Sequence, residues 1–104
     1  MTSERMGLFH AIHAERDRQD RKWGIQNHPI GKPGEVHARK MEAELARMIC
    51  ESLSANGDVT WYDILYEEFC EVFAESDPYR QREELIQVAA VAVQMIECID
   101  RNRR

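Results

Sequence analysis

Between Leu85 and Ile99 the apolar residues Leu85, Val88, Ala89, Ala92, Met95, Ile96 and Ile99 recur at helical spacing. Spacings of three and four gather these side chains on one side of a long α-helix. A strand would need alternation by two, and no segment of the chain shows it. Asp77-Pro78 supplies an N-cap and then a first-turn proline, whose missing N–H costs nothing there, so this helix begins at Pro78.

The rest of the chain divides in the same way. Ser3 is placed to cap a first helix running to about Lys22, with Leu8, Phe9 and Ile12 as its apolar stripe. WGIQNHPIGKPG follows, holding three of the five glycines and two of the three prolines, which predicts a loop. A second helix, from about Glu35 to Ala55, repeats Met41, Leu45, Met48, Ile49 and Leu53, and Gly57 suits its left-handed stop. Thr60, with Asp63 three residues on, marks the start of a third helix ending near Ser76. The expected fold is all-α: one domain over residues 1–104, an antiparallel helical bundle of about four helices.

The charge is unevenly spread. Residues 61–100 hold ten acids and two bases, residues 1–60 hold nine of each, and RNRR closes the chain with three arginines. An acidic half argues against a nucleic-acid partner. No apolar run reaches membrane-spanning length, and Met1–Gly7 lacks a leader's apolar core. Cys50, Cys70 and Cys98 are odd in number, widely spaced and set in helical apolar patterns, so buried free thiols and a reducing cytoplasm are expected.

The acids concentrate in EEFCEVFAESDPYRQREELIQ, residues 67–87, where they interleave with Phe69, Val72, Phe73, Leu85 and Ile86. Glu68 and Glu71 share one helix face; Glu84 and Gln87 repeat the spacing on the next helix. A short connection at Asp77-Pro78 makes the two helices antiparallel neighbours, so the pairs can face each other. Carboxylates crowded this way repel unless a cation sits between them. All four side chains offer oxygen, which suits Mg2+ with its preference for few protein ligands, waters and phosphate oxygens. The plainer alternative is an ordinary solvated acidic face.

EEFCE followed by EELIQ resembles the E-x-x-E … E-x-x-D signature of the MazG-like all-α nucleoside-triphosphate pyrophosphohydrolases, a superfamily that includes dimeric dUTPases and dCTP pyrophosphatases. AERDRQDRKWGIQNHP is similar to the first helix and Trp/His loop of the dCTP-pyrophosphatase branch. WYDILYEEFCEV resembles the first metal helix of MazG-like proteins, and IDRNRR the basic, Asn-containing end near the phosphates. The resemblance implies Mg2+-dependent hydrolysis, with Mn2+ as a possible substitute, of a nucleoside triphosphate to its monophosphate and pyrophosphate.

It also implies that Glu68, Glu71 and Glu84 are metal ligands. Gln87 stands where the family usually has Asp, which leaves an amide oxygen in place of a charge. Glu67 is a candidate for the base that takes the water's proton or for a group supporting the ligands. Lys22, Arg82, Asn102 and Arg103 are candidates for the phosphates, Trp23 and Trp61 for stacking a base, and His28 for a hydrogen bond to base or phosphate. Each Trp can equally be a packing residue, and His28 a solvated turn residue.

Apolar stripes this wide exceed what so short a chain can bury, so a homodimer or homotetramer is expected, as the resemblance also implies. Active sites near the subunit interface would then follow. Two other readings compete: a nucleotide- or partner-binding module that has lost catalysis with the fourth acid, and a helical interaction protein whose acids are only a surface.

Overall fold

The computed structural model describes residues 2–103, and its regular elements are all helical. They are α1 (Ser3–Trp23), α2 (Val36–Ala55), α3 (Trp61–Ala74) and α4 (Pro78–Asn102), with one 3-10 turn at Pro33–Glu35 leading into α2. None of these helices is long and apolar enough to cross a membrane.

Local hydrogen bonds account for the boundaries. Thr2, not Ser3, caps α1: its hydroxyl accepts from the Arg5 N–H at 3.1 Å, which frees Ser3 to join the first turn. Thr60 and Asp63 form a reciprocal capping box, the Thr60 N–H donating to the Asp63 carboxylate at 3.0 Å and the Asp63 N–H to the Thr60 hydroxyl at 3.4 Å. Gly57 adopts φ 76° at the exit from α2, as expected. The Asp77 carboxylate caps α4 by accepting from the Tyr79 N–H at 3.1 Å.

α3 stops at Ala74, two residues earlier than the sequence suggests, because Glu75 turns out of the helix. Its carboxylate accepts from the N–H groups of Ser76 and Asp77, both at 3.1 Å. Its carbonyl accepts from the Gln81 side-chain amide at 2.6 Å. Residues 75–77 therefore form a short, internally bonded turn that folds α4 back against α3.

α3 is central, with α2 and α4 both packed on it. The buried side chains are Ala43, Ala46 and Cys50 of α2, Cys70 and Val72 of α3, and Val91 and Val93 of α4. This departs from the expected stripes. α2 turns small residues inward while Met41, Leu45, Met48 and Ile49 stay exposed, and on α4 Leu85 and Ile99 stay exposed. Small side chains let helix axes approach closely, so they occupy the α2–α3 contact and leave the bulky apolar face over. Cys50 and Cys70 are buried free thiols; Cys98 is free but only half-buried.

α1 buries none of its residues. It is tied to α4 by the Arg5 guanidinium on the Glu97 carboxylate, at 3.0 and 3.4 Å. The radius of gyration, 16.1 Å, exceeds the roughly 13 Å of a compact domain of this length. One chain makes a shallow layer of helices, 21 Å in its thinnest direction.

Candidate metal centre

Glu68 and Glu71 project from the same side of α3, and the 75–77 turn brings Glu84, near the start of α4, opposite them. One carboxylate oxygen from each of the three lies within 4.8 Å of the others. All three side chains are half-buried, and the neighbouring Val72, 1% exposed, anchors this part of α3 in the core. Glu68 Oε2 is buried and has no hydrogen-bond partner. Leaving such an acceptor unpaired costs on the order of 1–3 kcal/mol, and more when it is charged.

The electrostatics follow from this crowding. Burial, then the Glu68 charge, then a hydrogen bond to Glu84, push the Glu71 carboxyl up from 4.5 to about 7, and the charges of Glu84 and Glu67 act the same way. Glu68 is also raised, first by burial and then by the charges of Glu84 and Glu67, while its hydrogen bond with Glu71 opposes the shift. No base among the described residues forms an ion pair with these acids: Arg80 pairs with Asp77 at 3.8 Å, and Arg82 is exposed without a pair.

Glu67 sits on the α2 side of α3, near enough to the Cys50 thiol to act on it. Burial first, and then the neighbouring Glu67 carboxylate, push Cys50 up to about 11. Sequence reasoning treated Cys50 as a core thiol and missed the contact, since no spacing rule links residues on different helices. Gln87 is exposed, one turn beyond Glu84 on α4.

Comparison of the chain with protein-family models, with curated proteins and with solved structures found no match. The chemistry of the site therefore rests on its own residues. Three carboxylates with no Cys or His among them form an all-oxygen set suited to a hard divalent cation, and the orphaned Glu68 Oε2 is an acceptor such an ion would satisfy.

The other candidates are dispersed. Lys22 lies over the Trp23 ring, 4.8 Å from its centroid, and both are exposed at the end of α1. His28 is exposed beside the Gln26 side chain at 3.5 Å. Trp61, half-buried, opens α3 two turns before Glu68. The Asn102 amide donates to Cys98 Sγ at 3.6 Å, and Arg103 follows it, exposed. At a rise of 1.5 Å per residue, Asn102 stands about 27 Å along α4 from Glu84. Of these candidates only Arg82, two residues before Glu84, is close along the chain to the acids.

Proposed function

We propose that the protein is a Mg2+-dependent nucleoside-triphosphate pyrophosphohydrolase of MazG-like type, cleaving between the α- and β-phosphates to release pyrophosphate. One observation carries this reading: Glu68, Glu71 and Glu84 converge from two helices within 4.8 Å, and no base among the described residues pairs with them. Such an arrangement is costly as a mere surface, because like charges in partial burial repel. It is favourable as half of a cation site whose other half arrives with the substrate. The likeness of EEFCE and EELIQ to the superfamily signature supplies the reaction.

In this reading Glu68, Glu71 and Glu84 hold Mg2+ or Mn2+, and Gln87 adds an amide oxygen. Bound there, the ion supplies charge neutralisation at the phosphoryl oxygens and lowers the pKa of a water. Glu67, whose charge reaches Glu68 and Glu71, would accept the water's proton. Arg82 is the nearest base along the chain to offset phosphate charge. Lys22, Trp23, His28 and Trp61 contribute to base and phosphate binding. Asn102 and Arg103 reach the acids only from a second copy. The free thiols accord with a reducing cytoplasm.

Gln87 favours a second reading, a nucleotide-binding module without turnover, because the family's fourth carboxylate is missing. One assay decides between them: incubate the protein with Mg2+ or Mn2+ and each common NTP and dNTP, detecting pyrophosphate separately from orthophosphate. Monophosphate plus pyrophosphate supports hydrolysis. Nucleoside diphosphate plus orthophosphate overturns it, and Mg2+-dependent binding without product selects the module.

A further inference from the structure

The first two turns of α4 carry Glu84 to its place, yet no buried apolar side chain fastens them to α3. From Pro78 to Ala90 every residue is exposed except Gln81, Glu84 and Val88, which are half-buried. Spacings of three and four put these on one row with the buried Val91, the row that faces α3. Ahead of Val88, then, α4 meets α3 through a glutamine and a glutamate. Repulsion pushes the glutamate outward, because one oxygen of its carboxylate lies within 4.8 Å of oxygens of Glu68 and Glu71.

Gln81 supplies the opposing force. Its side-chain amide donates to the Glu75 carbonyl at 2.6 Å, crossing the turn from α4 to the end of α3. Glu75 is the C-cap of α3, so its carbonyl is one that the helix itself leaves without a partner. Glu75 is fixed in turn by its own carboxylate, which accepts from the Ser76 and Asp77 N–H groups. The Gln81 backbone N–H donates to the Asp77 carbonyl at 2.8 Å, a bond that opens α4. Backbone and side chain together thus hold Gln81, about one turn before Glu84.

We propose that Gln81 is a positioning residue: its bond to the Glu75 carbonyl holds Glu84 against Glu68 and Glu71 before any cation arrives. The cluster is closed in advance, and a divalent ion need not first draw α4 in against the repulsion. Removing a group that orients metal ligands typically weakens metal binding by about 10- to 100-fold. The effect on cation affinity rests on reading the trio as a metal site; the hold of Gln81 on Glu84 does not.

Gln81→Met keeps the length and helix preference of the side chain and removes the donor. In metal-free crystals of this variant, the Glu84 carboxylate should lie beyond the 4.8 Å that groups it with Glu68 and Glu71 in the wild type. In magnesium titrations followed by melting temperature, the variant's midpoint should rise by about tenfold. Thr60→Ala removes a cap at the opposite end of α3 and should leave that midpoint unchanged. If Gln81→Met does not fold, NMR of the wild type decides: the Gln81 side-chain amide protons should exchange with water far more slowly than those of the exposed Gln87. An unmoved Glu84 or an unchanged midpoint in Gln81→Met would overturn the proposal. So would a midpoint raised equally by Thr60→Ala, or a Gln81 amide that exchanges as fast as that of Gln87. A wild type whose melting ignores Mg2+ would remove the metal reading instead, and the metal-free crystals would still decide the role of Gln81.

Discussion

Glu71 on α3 and Glu84 on α4 face each other across the seam between their helices, with a carboxylate oxygen of each within 4.8 Å of the other and of Glu68. A proton on one of these carboxylates and a cation among them relieve the same repulsion, so the two compete for the seam. The first two predictions use that competition.

Without divalent cations, the protein should lose stability as pH rises from about 4.5 to about 7. Glu71 is raised in the folded state by burial first and by the Glu68 charge second. The folded chain therefore holds more protons than the unfolded chain between those values. The contribution is fully present below 4.5 and is lost as pH rises through 7. Solvent screening reduces it to on the order of 1 kcal/mol, or roughly 5 °C in melting temperature. Thermal melts in chelator across this window should show the slope, and Glu71→Gln should flatten it.

Glu71→Ala should abolish metal-dependent turnover and the stabilisation given by Mg2+, while the melting temperature without metal holds or rises. Removing one of three crowded carboxylates relieves repulsion. Melting the variant and the wild type with and without Mg2+ checks both halves. A loss above about 2 kcal/mol without metal would show that the carboxyl is structural.

Gln87→Asp should tighten Mg2+ binding by about tenfold, equivalent to about 1.4 kcal/mol, since an added charge near a divalent ion is worth at least that. The shorter side chain offsets part of the gain. Melting temperature across a magnesium titration gives the midpoint. An unchanged midpoint would place Gln87 outside the site and leave three glutamates.

Thr60→Ala should cost about 1 kcal/mol, because the capping box loses the acceptor for Asp63 N–H. Denaturant unfolding measures it, and Asp63→Ala should cost a similar amount. A neutral result would mean that α3 is held by packing alone.

Four helices, the Thr60/Asp63 capping box and the Asp77-Pro78 start of α4 were legible in the sequence, because caps and prolines act through bonds a few residues long. The convergence of Glu68, Glu71 and Glu84 was legible for the same reason, needing only helical spacing and a short turn. The inward face of α2 was not. Periodicity marks Met41, Leu45, Met48 and Ile49 as one stripe, but it cannot say that α3 would choose the adjoining Ala43, Ala46 and Cys50 for close approach. The proximity of Cys50 to Glu67 was invisible too, since it depends on the rotation of two helices about their own axes.

The turn at residues 75–77 also bears on how such a chain can diverge. Glu75 bonds the amides of Ser76 and Asp77, and its carbonyl holds the Gln81 side chain, so its length sets the rotation of α4 against α3. One residue inserted into α4 between Pro78 and Glu84 would swing Glu84 by about 100°, away from Glu68 and Glu71. Residues added to or removed from the loop of residues 24–32, which anchors none of the three acids, would leave the trio in place. Between Glu71 and Glu84 the residue count itself is part of the site, since it fixes whether the third carboxylate meets the other two.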